Sequence, residues 1–370
     1  MAKTVNIGVI GVGAFMARQH LPNLQSTGLT RIHTLCDLDE DLLAQRREEF
    51  DPVAVTTAAE AVFDDPRIDA VMVGTRAGEH ARMIELAARS GKHVYVEKPM
   101  TMTYEQTHSV LEAVSGSGIE VGVGFNRRFA PAMVAARELF RARRTGPANV
   151  IYRIVDDHRV RPEYIFDMDD GGGHLLQEGC HIFDLLAWML GSEPVEIFAT
   201  GPIETDNVVI LKFADGSLAT VLCGGKGGLF YPKELLEMFA GHTTVAVDQF
   251  YELRADGPDG TLRRTFPLDP KSGGAPAEDN MTAYYEASFA QRPDRDETDI
   301  AVCNALHQLR VDKGHVQAIT AFAEAIANGT PYAVNAIDGA RATVCALKGY
   351  ESIRTNRPVV ISPTDYGLEG

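Results

Sequence analysis

The first third of the chain alternates short apolar runs with helical patterns, and this alternation constrains the fold more than any other feature of the sequence. Residues 5–10 form an apolar run that leads into a glycine-rich turn and a helical pattern, and the same order repeats as far as residue 125. Strands that are apolar on both faces are typical of a parallel sheet with helices on both sides. We therefore predict a doubly wound, parallel α/β domain of the Rossmann type over residues 1–125.

The pattern changes after residue 125. From residue 195 onward, short strands follow one another with hairpin-like turns, and two amphipathic helices are predicted near the end. Closely spaced strands of this kind favour antiparallel pairing. A chain of 370 residues also exceeds what one hydrophobic core usually organises. We expect a second domain of the α+β class over residues 126–370, with a mostly antiparallel open sheet.

The charge and the cysteines limit the possible partners. The formal net charge is −16, so the surface on average repels a polyanion such as nucleic acid. The sequence shows neither a secretory leader before the first apolar run nor an apolar stretch long enough to span a bilayer. Its five cysteines are scattered and lack C-x-x-C pairing, which favours reduced thiols. We expect a cytoplasmic protein without nucleic-acid or membrane partners.

The glycine-rich turn lies between a predicted strand and a predicted helix, which is the context of a dinucleotide-binding turn. Its residues are Gly11, Val12, Gly13, Ala14, Phe15 and Met16. Gly11 permits the tight turn, and Gly13 lets the main chain approach a pyrophosphate at the positive end of the helix. Met16 replaces the third glycine of the usual pattern, which predicts a different seating of the helix. The alternative is a glycine-rich turn that binds no ligand.

Asp37 strengthens the dinucleotide hypothesis. It ends the second predicted strand about twenty residues after Met16, where an acidic side chain is expected to bind the adenosine ribose 2′-hydroxyl. Its charge would repel a 2′-phosphate, and Leu38 offers no cation to accept one. The sequence therefore favours NAD over NADP. A second role for Asp37, as N-cap of the following helix, is compatible with the first.

A further motif is Glu97-Lys98-Pro99, which follows Gly91-Lys92-His93-Val94. With this motif, the sequence resembles the glucose-fructose oxidoreductase, inositol dehydrogenase and rhizopine-catabolism (Gfo/Idh/MocA) family. The resemblance covers nearly the whole chain. The matching landmarks are Gly11-Val12-Gly13, Asp37, Thr75, His80, Glu97-Lys98-Pro99, Asn126-Arg127-Arg128-Phe129, Gly171-Gly172-Gly173, Gly179, His181 and Asp184. The resemblance implies an NAD(P)-binding first domain and a second domain with an open sheet. It also implies that the substrate is a sugar, an inositol or one of their acids.

The resemblance gives Lys98 a catalytic role near the nicotinamide and the substrate hydroxyl. A lysine at the carboxyl edge of a parallel sheet lies where such folds bind ligands. A surface lysine at a strand end is the alternative. The residues expected to bind the cofactor with Lys98 and the glycine turn are Asp37, Gly74, Thr75, His80, Glu97 and Asn126.

A second set of candidate residues lies on the predicted helix over residues 174–190. The resembled family often places an aspartate four residues before His181, but this chain has Gln177 there. Glu178 could take over the missing carboxylate, so we expect His181 and Glu178 to be catalytic and His174 and Gln177 to contact substrate. The spacing of His174, Glu178 and His181 could also hold a metal. We expect no metal, because a polyol site uses the same groups as hydrogen-bonding partners.

A short basic cluster precedes that helix. It contains His158, Arg159 and Arg161, and guanidinium groups there could bind a carboxylate, sulfonate or phosphate of a substrate. A solvated loop is the alternative. Arg128 is also a candidate substrate ligand, although it could equally be solvated.

Together these features predict an NAD-dependent oxidoreductase that transfers a hydride between nicotinamide and a secondary alcohol of a sugar, sugar acid or inositol. His181 or Lys98 would take the hydroxyl proton, with the two side chains in one crevice. One rival is a redox-neutral glycosidase that oxidises the sugar transiently, eliminates the aglycone and returns the hydride. Another is a regulator that binds NAD and sugar without turnover. A homodimer or homotetramer is implied by the resemblance.

Overall fold

A computed structural model describes residues 4–268, 281–290 and 310–367. The chain divides into two compact units. Unit 1 comprises Met1–Asn126, His315–Val344 and Pro363–Gly370, and unit 2 comprises Arg127–Gly314 and Cys345–Ser362. The first boundary lies next to the one expected at 125/126. The expected second domain ran without interruption to residue 370, whereas residues 315–344 belong to unit 1.

The described residues form strands and helices in the following order along the chain. The strands are β1 Val5–Ile10, β2 Thr30–Cys36, β3 Ala54–Thr56, β4 Ala70–Val73, β5 His93–Val96, β6 Val121–Val123, β7 Asn149–Val155, β8 Pro194–Thr200, β9 Asn207–Phe213, β10 Leu218–Gly224, β11 Glu234–Ala240, β12 Thr243–Asp248, β13 Glu252–Asp256, β14 Leu262–Thr265 and β15 Val359–Val360. The α-helices are α1 Leu21–Ser26, α2 Glu40–Phe50, α3 Ala59–Asp64, α4 His80–Ser90, α5 Tyr104–Val114, α6 Pro131–Arg143, α7 Cys180–Leu190, α8 Met281–Ala290, α9 His315–Asn328 and α10 Ala336–Thr355. Two π-helical turns, Met16–His20 and Leu175–Gly179, lead into α1 and α7.

Unit 1 contains the predicted parallel sheet. Its strand order is β3-β2-β1-β4-β5-β6, and every neighbouring pair is parallel. All four residues of β4 are buried, as expected for a central strand covered on both faces. The order reverses between β1 and β4, and ligands of such sheets bind at this switch point, beyond the carboxyl ends of the strands. The Rossmann prediction is confirmed.

Local sequence explains where the helices of unit 1 begin and end. The Asp39 side chain accepts a hydrogen bond from the Leu42 main-chain N–H at 2.9 Å and caps α2. Gly91 ends α4 in the left-handed conformation, as the sequence predicted. Residues near the end of the chain complete the core of unit 1. Phe322 and Tyr332 pack closely on Gly122, since a Cβ there would lie 3.0 Å from both rings. This packing explains why α9 belongs to the first unit.

Unit 2 is built on a sheet with strand order β14-β13-β12-β11-β7-β10-β9-β8-β15. The β7–β10 pair is parallel and the other pairs are antiparallel, so the predicted mostly antiparallel sheet is confirmed. Residues along β9 alternate between buried and exposed, which gives the sheet one covered and one open face. Helix α6 packs against β12, and the π-turn before α7 packs against β10.

The sequence predicted that the chain has no membrane-spanning segment and that its cysteines are reduced thiols. In residues 4–268, 281–290 and 310–367 no helix combines the length and apolar character needed to cross a membrane. Cys36, Cys180, Cys223 and Cys345 are buried free thiols, while Cys303 lies outside the described residues.

Candidate active site

The glycine-rich turn of unit 1 follows β1 directly. Gly11 has φ of +81°, and a Cβ on it would lie 2.7 Å from the main-chain carbon of Gly74, so only glycine fits without strain. A Cβ on Gly13 would meet no heavy atom within 4 Å. Gly13 therefore leaves its main chain accessible beside the start of the helix, which suits a pyrophosphate. Ala14 and Phe15, next in the turn, are both exposed.

Met16 replaces the third glycine, and the structure shows how the neighbouring strand accommodates it. Met16 is buried and begins the π-helical turn, in which the Leu21 main-chain N–H donates to the Met16 carbonyl. A Cβ on Gly74 would lie 2.4 Å from the Met16 sulfur. The Met16 side chain thus occupies space that is available because Gly74 has no side chain. This is the altered helix seating that the sequence predicted.

Asp37 ties the end of β2 to the glycine turn. One carboxylate oxygen accepts the Val12 main-chain N–H at 2.8 Å, and the other accepts the Asp39 N–H at 3.2 Å. Asp39 rather than Asp37 is the N-cap of α2. The next residue, Leu38, is 88% exposed and carries no charge. These residues fit the ribose diol of NAD, which such a carboxylate binds.

The Glu97-Lys98-Pro99 segment follows β5 and is held from two sides. The His20 Nε2 atom lies 2.5 Å from a Glu97 carboxylate oxygen, and the other oxygen accepts the Lys98 main-chain N–H at 3.3 Å. His80 is buried, with its ring nitrogens 2.8 Å from the Pro99 carbonyl oxygen and 3.2 Å from that of Thr75. Burial acts to raise the pKa of Glu97, but His20, Lys98 and His80 outweigh it and lower the pKa.

Unit 1 thus gathers most of its predicted residues at the carboxyl edge of the parallel sheet. Gly11 and Gly13 follow β1, Asp37 follows β2, and Gly74 and Thr75 follow β4. Asn126 is buried and begins a 3₁₀ turn after β6, Asn126–Phe129. The sequence analysis did not single out His20. It lies four residues after Met16, and residues at this spacing share one side of a helix.

In unit 2 the candidate helix begins with the π-turn Leu175–Gly179 and continues as α7. His174, Gln177, Glu178 and His181 are all buried. The Gln177 amide donates to the Gly171 carbonyl oxygen at 2.5 Å, so this residue holds the preceding glycine turn. Gln177 therefore makes a main-chain contact that requires a donor, which an ionised aspartate does not provide.

Glu178 lies among cations contributed by distant segments. Lys233 Nζ is 2.8 Å from one carboxylate oxygen, Arg161 is 3.2 Å from the other, and Arg127 is 3.6 Å away. Asp156, after β7, pairs with the same Lys233 and Arg161 at 3.0 and 2.5 Å. Burial acts to raise the pKa of Asp156, but these two cations outweigh it and lower the pKa.

His174 lies beside Asp156, and its Nε2 atom makes no hydrogen bond. Its Nε2 and the Asp156 Oδ1 are both buried without a hydrogen bond, and they lie 4.0 Å apart. Burial lowers the pKa of His174, which favours the neutral ring. A hydroxyl group between these two atoms could accept from one and donate to the other.

A second buried network centres on Glu234 at the start of β11. Arg127 donates two hydrogen bonds to its carboxylate, at 2.8 and 2.9 Å, and Tyr152 Oη and Lys313 Nζ donate at 2.8 and 2.7 Å. Sequence reasoning did not single out Lys233, Glu234 or Lys313. They are isolated charged residues at strand or loop positions, so no motif marks them.

Each residue of the predicted basic cluster already has a partner in the structure. Arg159 makes a bidentate contact with Asp157 at 2.8 and 2.5 Å, Arg161 pairs with Asp156, and His158 Nδ1 lies 2.7 Å from the Gly225 carbonyl oxygen. Arg128 and Asp184 form a buried ion pair in which Nε donates at 2.8 Å. These acidic partners already balance the charge of the arginines.

The metal alternative finds no support in the part of the chain that the structure describes. There, no group of three or more histidine, cysteine, aspartate or glutamate side chains is arranged to hold a metal ion. His174, Glu178 and His181 share a helix without forming such a group.

Comparison with known proteins assigns the class. Residues 5–125 match the model of an oxidoreductase family with an NAD-binding Rossmann fold (GFO_IDH_MocA), and residues 133–227 match the GFO/IDH/MocA C-terminal domain. The chain is 25% identical to the myo-inositol 2-dehydrogenase of Thermotoga maritima over 259 residues, 67% of this chain and 76% of that protein.

Solved structures share the fold. An oxidoreductase domain protein from Kribbella flavida aligns with TM-score 0.79 and 20% identity, over 97% of this chain and 100% of that one. A levoglucosan dehydrogenase, in complex with NADH and levoglucosan, aligns with TM-score 0.76 and 20% identity, over 97% and 99%.

The fold and the glycine turn therefore define an NAD-binding oxidoreductase with a Rossmann unit and an open-sheet unit. The chain belongs to the Gfo/Idh/MocA oxidoreductase family. NAD is its cofactor, and Gly11, Gly13 and Asp37 are the residues whose geometry fits it.

Proposed function

We propose that this protein is an NAD-dependent dehydrogenase acting on a secondary hydroxyl, or the corresponding keto carbon, of a sugar or cyclitol. The observation that carries the proposal is the carboxyl edge of unit 1, where the glycine turn, Asp37 and Lys98 follow β1, β2 and β5. The relative that oxidises myo-inositol and the fold neighbour that holds levoglucosan support the substrate class.

The chain's own residues would bind, orient and exchange a proton. Bound NAD supplies the redox chemistry. In our proposal Lys98 or His181 takes the hydroxyl proton during oxidation, because both are side chains that can act as bases once neutral. Glu178 lies among Lys233, Arg161 and Arg127, and we propose that its carboxylate accepts a hydrogen bond from a substrate hydroxyl. His174 and Asp156 would share a second hydroxyl through their unpartnered atoms.

We further propose that a neutral polyol is preferred over a sugar acid. Arg159 and Arg161 were candidates for binding an anion, but each is paired with an aspartate. Bringing a carboxylate to either arginine would break or crowd an existing ion pair. Neutral hydroxyl groups require no such exchange.

The test is a substrate panel in the presence of NAD. Matched neutral and acidic pairs, such as glucose with glucuronate, are run beside inositols and glycosides, while NADH absorbance and released products are both followed. A dehydrogenase accumulates NADH with a neutral polyol. Aglycone release without NADH accumulation would instead support the redox-neutral glycosidase, and NAD binding without turnover would support the sensor. Absence of NAD binding by calorimetry would defeat all three.

A Lys98→Met variant tests the catalytic assignment. We expect kcat to fall by about 10³-fold with little change in NAD affinity, since removal of a general base typically costs 10²–10⁴-fold. Lys226→Met, at a 73%-exposed lysine, is the control and should keep the activity of the unaltered protein. A Lys98→Met protein of normal kcat would refute the assignment.

We also propose that a second copy of the chain covers the open face of the unit 2 sheet. Apolar side chains on neighbouring strands are exposed there by 39–47%, and they are Ile151, Val208, Ile210, Leu218 and Leu222. The cross-strand register places Thr220 between Ile151 and Ile210. Lys212 and Glu196 on the same sheet pair with each other at 2.5 Å, so they add no net charge. Two copies of such a face can meet without the repulsion expected of a chain with net charge −16.

Sedimentation velocity tests this proposal. Ile210→Glu should shift the protein from dimer or tetramer toward monomer, while Val53→Glu, at an exposed apolar position of unit 1, should not. A monomeric unaltered protein would disprove the proposal.

A further inference from the structure

We propose that His20 is a positioning residue for Lys98: it holds the Glu97 carboxylate, and that carboxylate fixes the main chain of Lys98. The inference rests on the proposed role of Lys98. All three residues belong to unit 1, His20 is buried, and Glu97 contacts the other two at 2.5 and 3.3 Å.

The first step is the contact between His20 and Glu97. The imidazole is 1% exposed and the Glu97 side chain 12% exposed, and their Nε2 and Oε1 atoms lie 2.5 Å apart. A carboxylate removed from water needs hydrogen-bond donors, and the His20 ring provides one. Gly124 lies close to the same oxygen, since a Cβ there would be 2.8 Å from Oε1. Glu97 therefore has little freedom to reorient while His20 is in place.

The second step leads from Glu97 to Lys98. The remaining carboxylate oxygen accepts the Lys98 main-chain N–H at 3.3 Å. This bond sets the direction in which the chain leaves β5. His80 holds the following residue, Pro99, through its carbonyl oxygen. The main chain at Lys98 is thus fixed on both sides, by His20 through Glu97 and by His80.

The third step explains why His20 reaches Glu97. The π-helical turn Met16–His20 contains one more residue per turn than the α-helix it leads into, and π-turns of this kind are frequent at functional sites. The rings of Phe15, Tyr95 and His315 surround His20, with centroids 5.2, 5.9 and 6.2 Å away. The insertion that seats Met16 against Gly74 thereby also directs the imidazole at the Glu97 carboxylate.

Two variants separate positioning from general stability. His20→Leu removes the donor at similar volume, whereas His20→Gln keeps an N–H close to the position of Nε2. With NAD affinity unchanged, we expect kcat to fall about 30-fold in His20→Leu and to recover to within about fivefold in His20→Gln, because small misplacements of a catalytic group cost up to about 10²-fold. His33→Leu is the matched control, as His33 is a buried histidine of the same unit that contacts Thr34. Its kcat should stay within about twofold.

A second readout does not depend on turnover. Hydrogen exchange at the Lys98 amide should be about tenfold faster in His20→Leu than in the unaltered protein, normal in His33→Leu and restored in His20→Gln. If His20→Leu does not fold, His20→Asn replaces it, since its shorter amide cannot reach Glu97. Unchanged exchange at Lys98, or equal kcat for His20→Asn and His20→Gln, would overturn the inference. Lack of any polyol turnover by the unaltered protein would refute the proposed function, while the exchange result would still decide the role of His20.

Discussion

The candidate site residues of the two units are held in place by different kinds of interaction. Unit 1 uses mainly main-chain geometry: two glycines, the ends of parallel strands, and carboxylates that accept main-chain N–H groups. Unit 2 uses charged side chains from distant segments, gathered around the buried Glu178 and Glu234. Main-chain geometry depends on local sequence, whereas a network of side chains depends on the whole tertiary fold. The glycine turn of unit 1 is therefore visible as a motif, whereas the cations that surround Glu178 and Glu234 are not.

The contrast is tested most severely at Glu234. Glu234→Ala would leave the buried Arg127 and the half-buried Lys313 without their shared carboxylate, and we expect unit 2 to lose about 3–5 kcal/mol of stability. Urea unfolding followed by tryptophan fluorescence reports on unit 2, because Trp188 is the single tryptophan of the chain and lies in that unit. Glu237→Ala on the same strand is the control and should cost less than about 1 kcal/mol. Equal midpoints for the two variants would contradict the importance of the network.

A smaller effect is expected from acid. Burial acts to raise the pKa of Glu234, but Arg127 and Lys313 outweigh it and hold the pKa well below its usual range. Because the folded pKa lies below the unfolded one, the stability that ionised Glu234 adds is complete above about pH 4.3 and is lost as the pH falls through the folded value. The difference in unfolding free energy between the unaltered protein and Glu234→Gln should therefore shrink on acidification from pH 6 to pH 3. A difference that stays constant would argue against this charge effect.

In unit 1, where main-chain geometry forms the candidate site, we expect substitution of Gly11 to lower stability and substitution of Gly13 to weaken NAD binding. Gly11→Ala should cost about 2 kcal/mol, because Gly11 has a positive φ and a Cβ there meets the Gly74 main chain. Gly13→Ala should change stability by less than about 0.5 kcal/mol but weaken NAD binding about tenfold, since its Cβ lies where the pyrophosphate would approach. Thermal unfolding and calorimetry measure the two effects. Normal NAD affinity in Gly13→Ala would mean that the cofactor does not approach this turn.

The smallest expected effect concerns the departure from the family pattern. Gln177→Asp restores the family residue but removes the donor to the Gly171 carbonyl oxygen, so unit 2 should lose about 1 kcal/mol. Trp188 fluorescence during urea unfolding measures the loss. Gln177→Asn, which keeps an amide, should be less destabilised than the aspartate variant. An aspartate variant as stable as the unaltered protein would show that the Gly171 contact contributes little.

The sequence predicted the parallel sheet, the glycine turn and the place of Asp37, because each depends on neighbours in the chain. It placed residues 315–344 in the second domain, although they belong to unit 1, because an amphipathic pattern over residues 315–328 does not show which sheet the helix covers. It could not find the pairing of Glu178 with Lys233, whose residues are far apart in sequence. It also offered Arg159 and Arg161 as ligands for an anion, with a solvated loop as the alternative, and the structure shows that each is paired with an aspartate.

The interrupted sequence of unit 1 has a consequence for the order in which the protein can be made. The ribosome completes residues 1–126 long before α9, yet Phe322 and Tyr332 pack against Gly122 in the finished core. During synthesis the sheet of unit 1 must therefore wait, with part of its apolar surface uncovered, until the whole of residues 127–314 has emerged. A nascent chain of this protein is expected to need protection at that surface, and a fragment that stops at Asn126 would keep the surface exposed permanently.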